Sequence, residues 1–197
     1  MAERRHLTCM TPFTILGIAG SLRKHSWNRA ALRAAQQLVP EGVELKIFDL
    51  DGLPLFNQDE EQHPPERVSE LKAAIRAANA ILIATPEYNY SVPGVLKNAI
   101  DWASRPYGDS AWSGKPVAIL GASPGAVGTA RAQYHLRQMF VFLDMHPLNQ
   151  PEVMITSAHE KFDAQGNLTD GKTRELMRKQ LAKLVEWSRR LEAGKQG

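Results

Sequence analysis

The chain has 197 residues, 43% hydrophobic and 23% charged, which is the composition of a globular protein and the length of one domain, read as 1–197, that needs no disulfide or metal to hold its core. Lys and Arg outnumber Asp and Glu by 24 to 21, and a surplus of +3 is too small to argue for a nucleic-acid partner. The lone Cys9 rules out an intrachain disulfide, the six histidines show no metal-ligand spacing, and no run approaches the roughly 20 apolar residues of a membrane span, so the expected compartment is the cytoplasm.

Residues 1–11 read as a flexible arm; their charged start has no apolar core behind it and makes a poor signal peptide. After it the chain alternates apolar runs with amphipathic segments. Phe13 to Ala19 is the first strand and Asn28 to Leu38, rich in alanine, the first helix. Val43 to Phe48 is the second strand, and the polar stretch from Asn57 to Pro65 after it borders a pocket entrance. Glu66 to Ala78 places Val68, Leu71, Ile75 and Ala78 on one helical stripe. Ala80 to Thr85 is the third strand, and Pro93 opens a helix running to Ala103, a good use of proline in a first turn. Pro116 to Gly121 is the fourth strand and Val127 to Leu143 a long helix with apolar residues on more than one stripe. One stripe covers the sheet; the surplus reads as a dimer interface, with Arg131, His135 and Arg137 available to pair across it. Val153 to Ile155 is the fifth strand, and Lys172 to Leu191 the last helix. Strands without strict alternation are buried on both faces, as in a parallel sheet covered by helices. The expected architecture is a doubly wound three-layer α/β sandwich with five parallel strands in the order 2-1-3-4-5. That order places a ligand at the carboxyl ends of strands 1, 3 and 4.

The loops at those ends carry the chemistry. The first runs Gly20-Ser21-Leu22-Arg23-Lys24-His25-Ser26-Trp27-Asn28 into a helix N-terminus. Hydroxyls at Ser21 and Ser26, the Asn28 amide, the Arg23 cation and unpaired helix N–H groups are the parts of a phosphate site. Ser26 and Asn28 are also ordinary N-cap residues. The loop is neither GxGxxG nor a Walker sequence, so a monophosphate fits better than a pyrophosphate; Asp49, the nearest acid to the end of strand 2, does not clearly read a ribose. The second loop, Pro86-Glu87-Tyr88-Asn89-Tyr90-Ser91-Val92-Pro93-Gly94, is stiff and aromatic, and suits a planar ring. Tyr88 and Tyr90 read equally well as packing residues around a turn. The third, Gly121-Ala122-Ser123-Pro124-Gly125, has glycines that let backbone approach a ligand, or make a plain turn. No GxSxG motif or catalytic triad order is present.

The Gly-Ser-Leu-Arg start with Ser26 and Asn28, followed by the unbroken stretch Pro86 to Trp102, resembles the NADPH-dependent FMN reductase family, and most closely its bacterial quinone and chromate reductase branch. The resemblance runs from strand 1 to about strand 5 and implies a flavodoxin-like fold. It implies FMN as bound cofactor, its phosphate held by Ser21, Arg23, Ser26 and Asn28. Its ring lies against Pro86, Glu87, Tyr88, Asn89 and Tyr90, near Ser123 and Gly125. It implies NAD(P)H as co-substrate, a quinone or another small molecule as acceptor, self-association into dimers or tetramers, and no catalytic side chain or metal beyond the flavin. Two other readings of the same loops stand beside it: a non-enzymatic flavodoxin-type electron carrier and a flavin-free module for another phosphate ligand.

Overall fold

The apolar runs that lack alternation become the centre of a parallel sheet. In the computed structural model, which describes residues 12–194, β1 (Phe13–Ala19), β3 (Ala80–Ala84) and β4 (Pro116–Ala122) lie side by side, the last two buried at every position. The arm 1–11, with Cys9, and residues 195–197 lie outside the described residues. β2 (Val43–Phe48) keeps exposed residues at Glu44, Lys46 and Ile47 because it is the edge strand. The order is β2-β1-β3-β4-β5, with Gly17 in register between Ile47 and Leu82. The expected 2-1-3-4-5 topology is therefore the observed one.

Helices cover both faces. α1 (Trp27–Gln36) and α6 (Gly171–Gly194) pack with Ile15, Leu82 and Leu120 on one side. α2 (Glu66–Ala77), α3 (Gly94–Ala103) and α4 (Ala130–Phe142) pack with Ile18, Ile81, Ile83 and Ile119 on the other. A 3-10 turn at Gln58–Glu60 and the short helix α5 (Ala158–Lys161) complete the chain.

The fifth strand position differs from the expected single run. It is built in two pieces: β5 (His146–Pro147) beside the start of β4 and β6 (Val153–Ile155) beside its end. Between them Gln180 of α6, buried, donates its Nε2 to the Ile119 carbonyl (2.9 Å) and to that of Pro151 (3.0 Å). A side chain thus supplies the donor the interrupted strand lacks. α4 also starts later than its apolar pattern suggests. Gly128 takes a positive φ of 66° just before Thr129, which occupies the cap position. Leu136 and Phe140 of α4 are buried, whereas Tyr134, Val141 and Phe142 are exposed. Arg131, His135 and Arg137, read as candidates for pairing across subunits, have partners within the chain: Glu87, Ser91 and the Leu148 carbonyl with Asn149.

The loop after α3 is anchored by charge. Lys72, its side chain only 7% exposed, donates to Asp109 at 2.7 Å, and Arg76 donates to the other carboxylate oxygen at 2.5 Å. These hold the Asp109 carboxyl below its ordinary 3.8, chiefly through the Lys72 hydrogen bond and then the Arg76 one, against an opposing desolvation. A carboxyl whose pKa is lower in the fold stabilises the fold above its unfolded value, and that stabilisation is lost as pH falls through the folded value. Melting temperatures of the native chain and of Asp109→Asn should therefore differ at neutral pH and converge below about pH 4. A gap that stays constant through acid would show that the carboxylate charge contributes nothing.

Candidate functional site

Three loops leave the carboxyl edge of the sheet side by side, and main-chain bonds extend the strand ladders into them. Gly20 N–H donates to Ala84 O (2.9 Å), Thr85 N–H to Leu120 O (2.9 Å) and Ser123 N–H to Ile155 O (3.0 Å). In the first loop Ser26 N–H donates to Arg23 O (3.0 Å), and the Ser26 hydroxyl accepts from the amides of Asn28 (3.2 Å) and Arg29 (3.4 Å). Ser26 is the N-cap of α1. The Ser21 hydroxyl accepts from Arg23 N–H (3.3 Å). No described residue accepts from the amides of Leu22, Lys24, His25 or Trp27. The Asn28 side chain takes a different job: it donates to Ala122 O (2.9 Å) and accepts from Ala122 N–H (2.8 Å), bracing α1 against the end of β4. Arg23 is exposed, with its guanidinium 5.3 Å from the centre of the Trp27 ring. A Cβ at Gly20 would sit 2.9 Å from Pro93 Cγ, so the missing side chain lets the first loop close on the second.

The second loop is held in a conformation that its sequence resists. Tyr88 N–H donates to Ser91 O (3.1 Å) and Ser91 N–H to Tyr88 O (3.0 Å). Asn89 (φ 51°) and Tyr90 (φ 63°) lie between, both left-handed. That is the mirror-image tight turn in which glycine is favoured, and a bulky residue such as Tyr90 is strained there. Two contacts from α4 hold it. The Arg131 guanidinium lies 3.7 Å from the centre of the Tyr90 ring, and His135 Nδ1 is 2.9 Å from Ser91 Oγ. Arg131 is fixed in turn by Glu87. The Glu87 carboxylate accepts from Arg131 Nε (2.5 Å), Arg131 N–H (3.0 Å) and Ala132 N–H (3.2 Å). Glu87 therefore caps the first turn of α4 from 44 residues away.

Ser21, Arg23, Ser26, Asn28, Pro86, Glu87, Tyr88 and Ser123 line one cavity of about 250 Å³, joined by Trp27, Ala122 and Pro124. Asn89, Tyr90 and Gly125 do not line it. Trp27, at the first position of α1, was not singled out by the sequence. Arg131 and His135 act through the second loop, and no local motif marks them. The cavity suits a phosphomonoester joined to a flat ring: unpaired amides and buried hydroxyls on one wall, Pro86 and the half-exposed Tyr88 on the other. The amides of Glu87, Asn89 and Tyr90 also have no acceptor among the described residues. A larger hollow, about 470 Å³, lies at the opposite edge of the sheet between Pro40, Val43 and the C-terminal half of α6; its wall is mainly apolar.

A doubly wound parallel sheet in this order, with its β1, β3 and β4 loops closing on one cavity, defines a flavodoxin-like protein. A family model described as NADPH-dependent FMN reductase matches residues 13–160. The chain is 60% identical over 178 residues to an NAD(P)H-dependent FMN reductase of Pseudomonas aeruginosa, covering 90% of this chain and 96% of that one. It is 47% identical over 176 residues to a quinone reductase of Pseudomonas putida, covering 89% and 94%. Among solved structures, FerB, a flavoenzyme NAD(P)H:(acceptor) oxidoreductase of Paracoccus denitrificans, superimposes with a TM-score of 0.83 at 38% identity over 90% of this chain and 97% of that one. The chain belongs to the NADPH-dependent FMN reductase family.

Proposed function

We propose that this protein is an FMN-dependent oxidoreductase that takes reducing equivalents from NAD(P)H and delivers them to a quinone or a similar small acceptor. The observation that carries the reading is the single cavity combining unpaired amides and buried hydroxyls with an aromatic wall. When FMN is bound, its ring system supplies the two-electron chemistry between NAD(P)H and the acceptor. The chain's own groups bind and orient. Ser21, Ser26 and the free amides of the first loop present donors to a phosphate, and Arg23 adds an exposed cation. Asn28, committed to Ala122, serves by keeping α1 and β4 in register. Pro86, Glu87 and Tyr88 form the wall for a ring. The unpaired amides of Glu87, Asn89 and Tyr90 are fixed donors beside it, suited to stabilising negative charge without reorganisation. Ser123 completes the lining, which does not include Gly125.

The reading includes self-association through the outer face of α4, because Val141 and Phe142 are 83% and 74% exposed there. It treats the chain as one domain, since both apolar layers share one sheet. It places the protein in the cytoplasm, in keeping with a single cysteine; among the described residues no helix is long and apolar enough to cross a membrane.

The test is a visible spectrum of the purified protein, an FMN titration, and anaerobic addition of NADPH followed by a quinone. Bound flavin that bleaches with NADPH and recovers with the quinone is the expected result; a protein that ignores FMN overturns the reading. Arg23→Ala should weaken FMN binding by about tenfold, one charge-assisted contact. Its melting temperature should stay put, because the side chain is exposed and makes no hydrogen bond or ion pair with any described residue. Unchanged flavin affinity would remove Arg23 from the phosphate site.

A further inference from the structure

The chain has four tryptophans, and three of them give their indole N–H to a main-chain carbonyl. Trp102 Nε1 donates to Pro54 O at 2.8 Å, Trp112 Nε1 to Ile100 O at 3.1 Å and Trp187 Nε1 to His146 O at 3.1 Å. Trp27 is the exception: no described residue accepts from its Nε1. Its side chain is half-buried and packs on the core at α1, and it is the one tryptophan that lines the flavin cavity. An indole N–H taken out of water normally finds an acceptor. Trp27 is also the first residue of α1, and its main-chain N–H is unpaired as well. One residue thus brings two free donors to a wall that already holds the Ser21 and Ser26 hydroxyls. The Arg23 guanidinium lies over its ring, 5.3 Å from the centre, and Arg23 lines the same cavity.

We propose that the Trp27 indole N–H is a ligand of the flavin phosphate and that the ring holds Arg23 beside the same group, so that this residue sets a preference for FMN over the unphosphorylated flavin. The inference rests on the redox reading above and adds a donor to the hydroxyls and the cation of the first loop. The chemistry of the wall selects the group. A donor without an acceptor gains most from an anion, and a phosphomonoester offers three acceptor oxygens. The N-terminus of α1 and the guanidinium beside the indole both favour negative charge there. The two side chains contribute differently. The indole N–H is neutral and adds direction, whereas Arg23 adds charge. Stacking on Trp27 restricts an otherwise exposed arginine and so lowers the entropy lost when it binds.

The test is calorimetric titration of the flavin-free protein with FMN and with riboflavin, in the native chain and in Trp27→Phe. Phenylalanine keeps a ring for packing and for Arg23 and removes the N–H. FMN affinity should fall about tenfold, the scale of a hydrogen bond to a charged group, and riboflavin affinity should hold. Raising the salt from about 0.1 M to about 1 M should shrink the loss seen in Arg23→Ala, a charge, and leave the loss in Trp27→Phe, a neutral donor. Nuclear magnetic resonance on the native chain reads the bond directly. The indole N–H signal that Trp27→Phe removes should gain protection from solvent exchange with FMN and not with riboflavin. Unchanged FMN affinity in Trp27→Phe, an equal loss for both flavins, or an indole proton that FMN leaves unprotected overturns the proposal. The two readings fail differently: a native chain that binds neither flavin counts against the redox reading, whereas one that binds FMN and is indifferent to Trp27→Phe loses only this donor.

Discussion

Gly121→Ala should cost about 3 kcal/mol of stability, at or beyond the upper end for overpacking a buried position. A Cβ placed there would lie 1.8 Å from Thr129 Oγ1 and 2.5 Å from the Thr85 carbonyl oxygen. Neither neighbour can yield cheaply. Thr85 is fully buried, with its main chain bonded to Leu120, and Thr129 is fully buried and bonded to Gln133 Nε2 at 3.1 Å. At this chain length the loss corresponds to a melting temperature lower by about 6–12 °C. Flavin affinity should fall as well, because displacing Thr85 moves Pro86 and Glu87 in the cavity wall. Gly125→Ala is the control: its Cβ would lie 3.6 Å from Ser123 Oγ, ordinary contact, and its melting temperature should hardly move. Adding Thr129→Ala to Gly121→Ala removes the most severe clash, that with Oγ1, while the Thr129 Cβ at 2.9 Å and the Thr85 carbonyl remain; it should restore part of the loss, a coupling that independent sites would not show. A Gly121→Ala protein that melts with the native chain would sink the close-approach argument.

The difference between Gly121 and Gly125 also marks where sequence reading stops. Both belong to one glycine-containing run of sequence, but Gly121 ends up in β4, where Thr129 before α4 and the Thr85 carbonyl leave no room for a side chain. β1, β3 and β4 were legible because strands buried on both faces need apolar residues at every position, and composition alone exposes that. β5 was not, since two residues ending in Pro147 carry no period, and its break is mended by Gln180 from a distant helix. The Ser26 cap was legible because capping is local. The roles of Asn28 and Glu87 were not, because their partners are 94 and 44 residues away. Tyr90 hides its turn for a different reason. A glycine there would have announced the left-handed backbone, whereas tyrosine is tolerated only because Arg131 covers its ring and His135 holds the neighbouring Ser91. The stretch Pro86 to Trp102 could thus support a family resemblance without revealing how the loop keeps its shape.

Glu87 tests that last point. Its side chain is 7% exposed, yet it lies on a loop whose next three residues are open to solvent. Burial of a carboxylate is costly unless its oxygens are satisfied, and here the first-turn amides of α4 and the Arg131 guanidinium satisfy them. Glu87→Ala leaves the amides of Arg131 and Ala132 without an acceptor and frees Arg131 from its place over Tyr90. The expected loss is about 1.5–3 kcal/mol, the range for a hydrogen bond to a charged group, or roughly 3–12 °C in melting temperature. Arg131→Ala is the informative partner. It removes the side-chain bond and the cover on Tyr90 but leaves both amides bonded to Glu87. The freed charge is also less costly, since the Arg131 side chain is already 42% exposed. Stability should therefore fall less in Arg131→Ala than in Glu87→Ala, whereas both should loosen the Tyr88–Ser91 turn and weaken flavin binding. Equal losses of stability would mean that the ion pair, and not the capping of α4, is what anchors the loop.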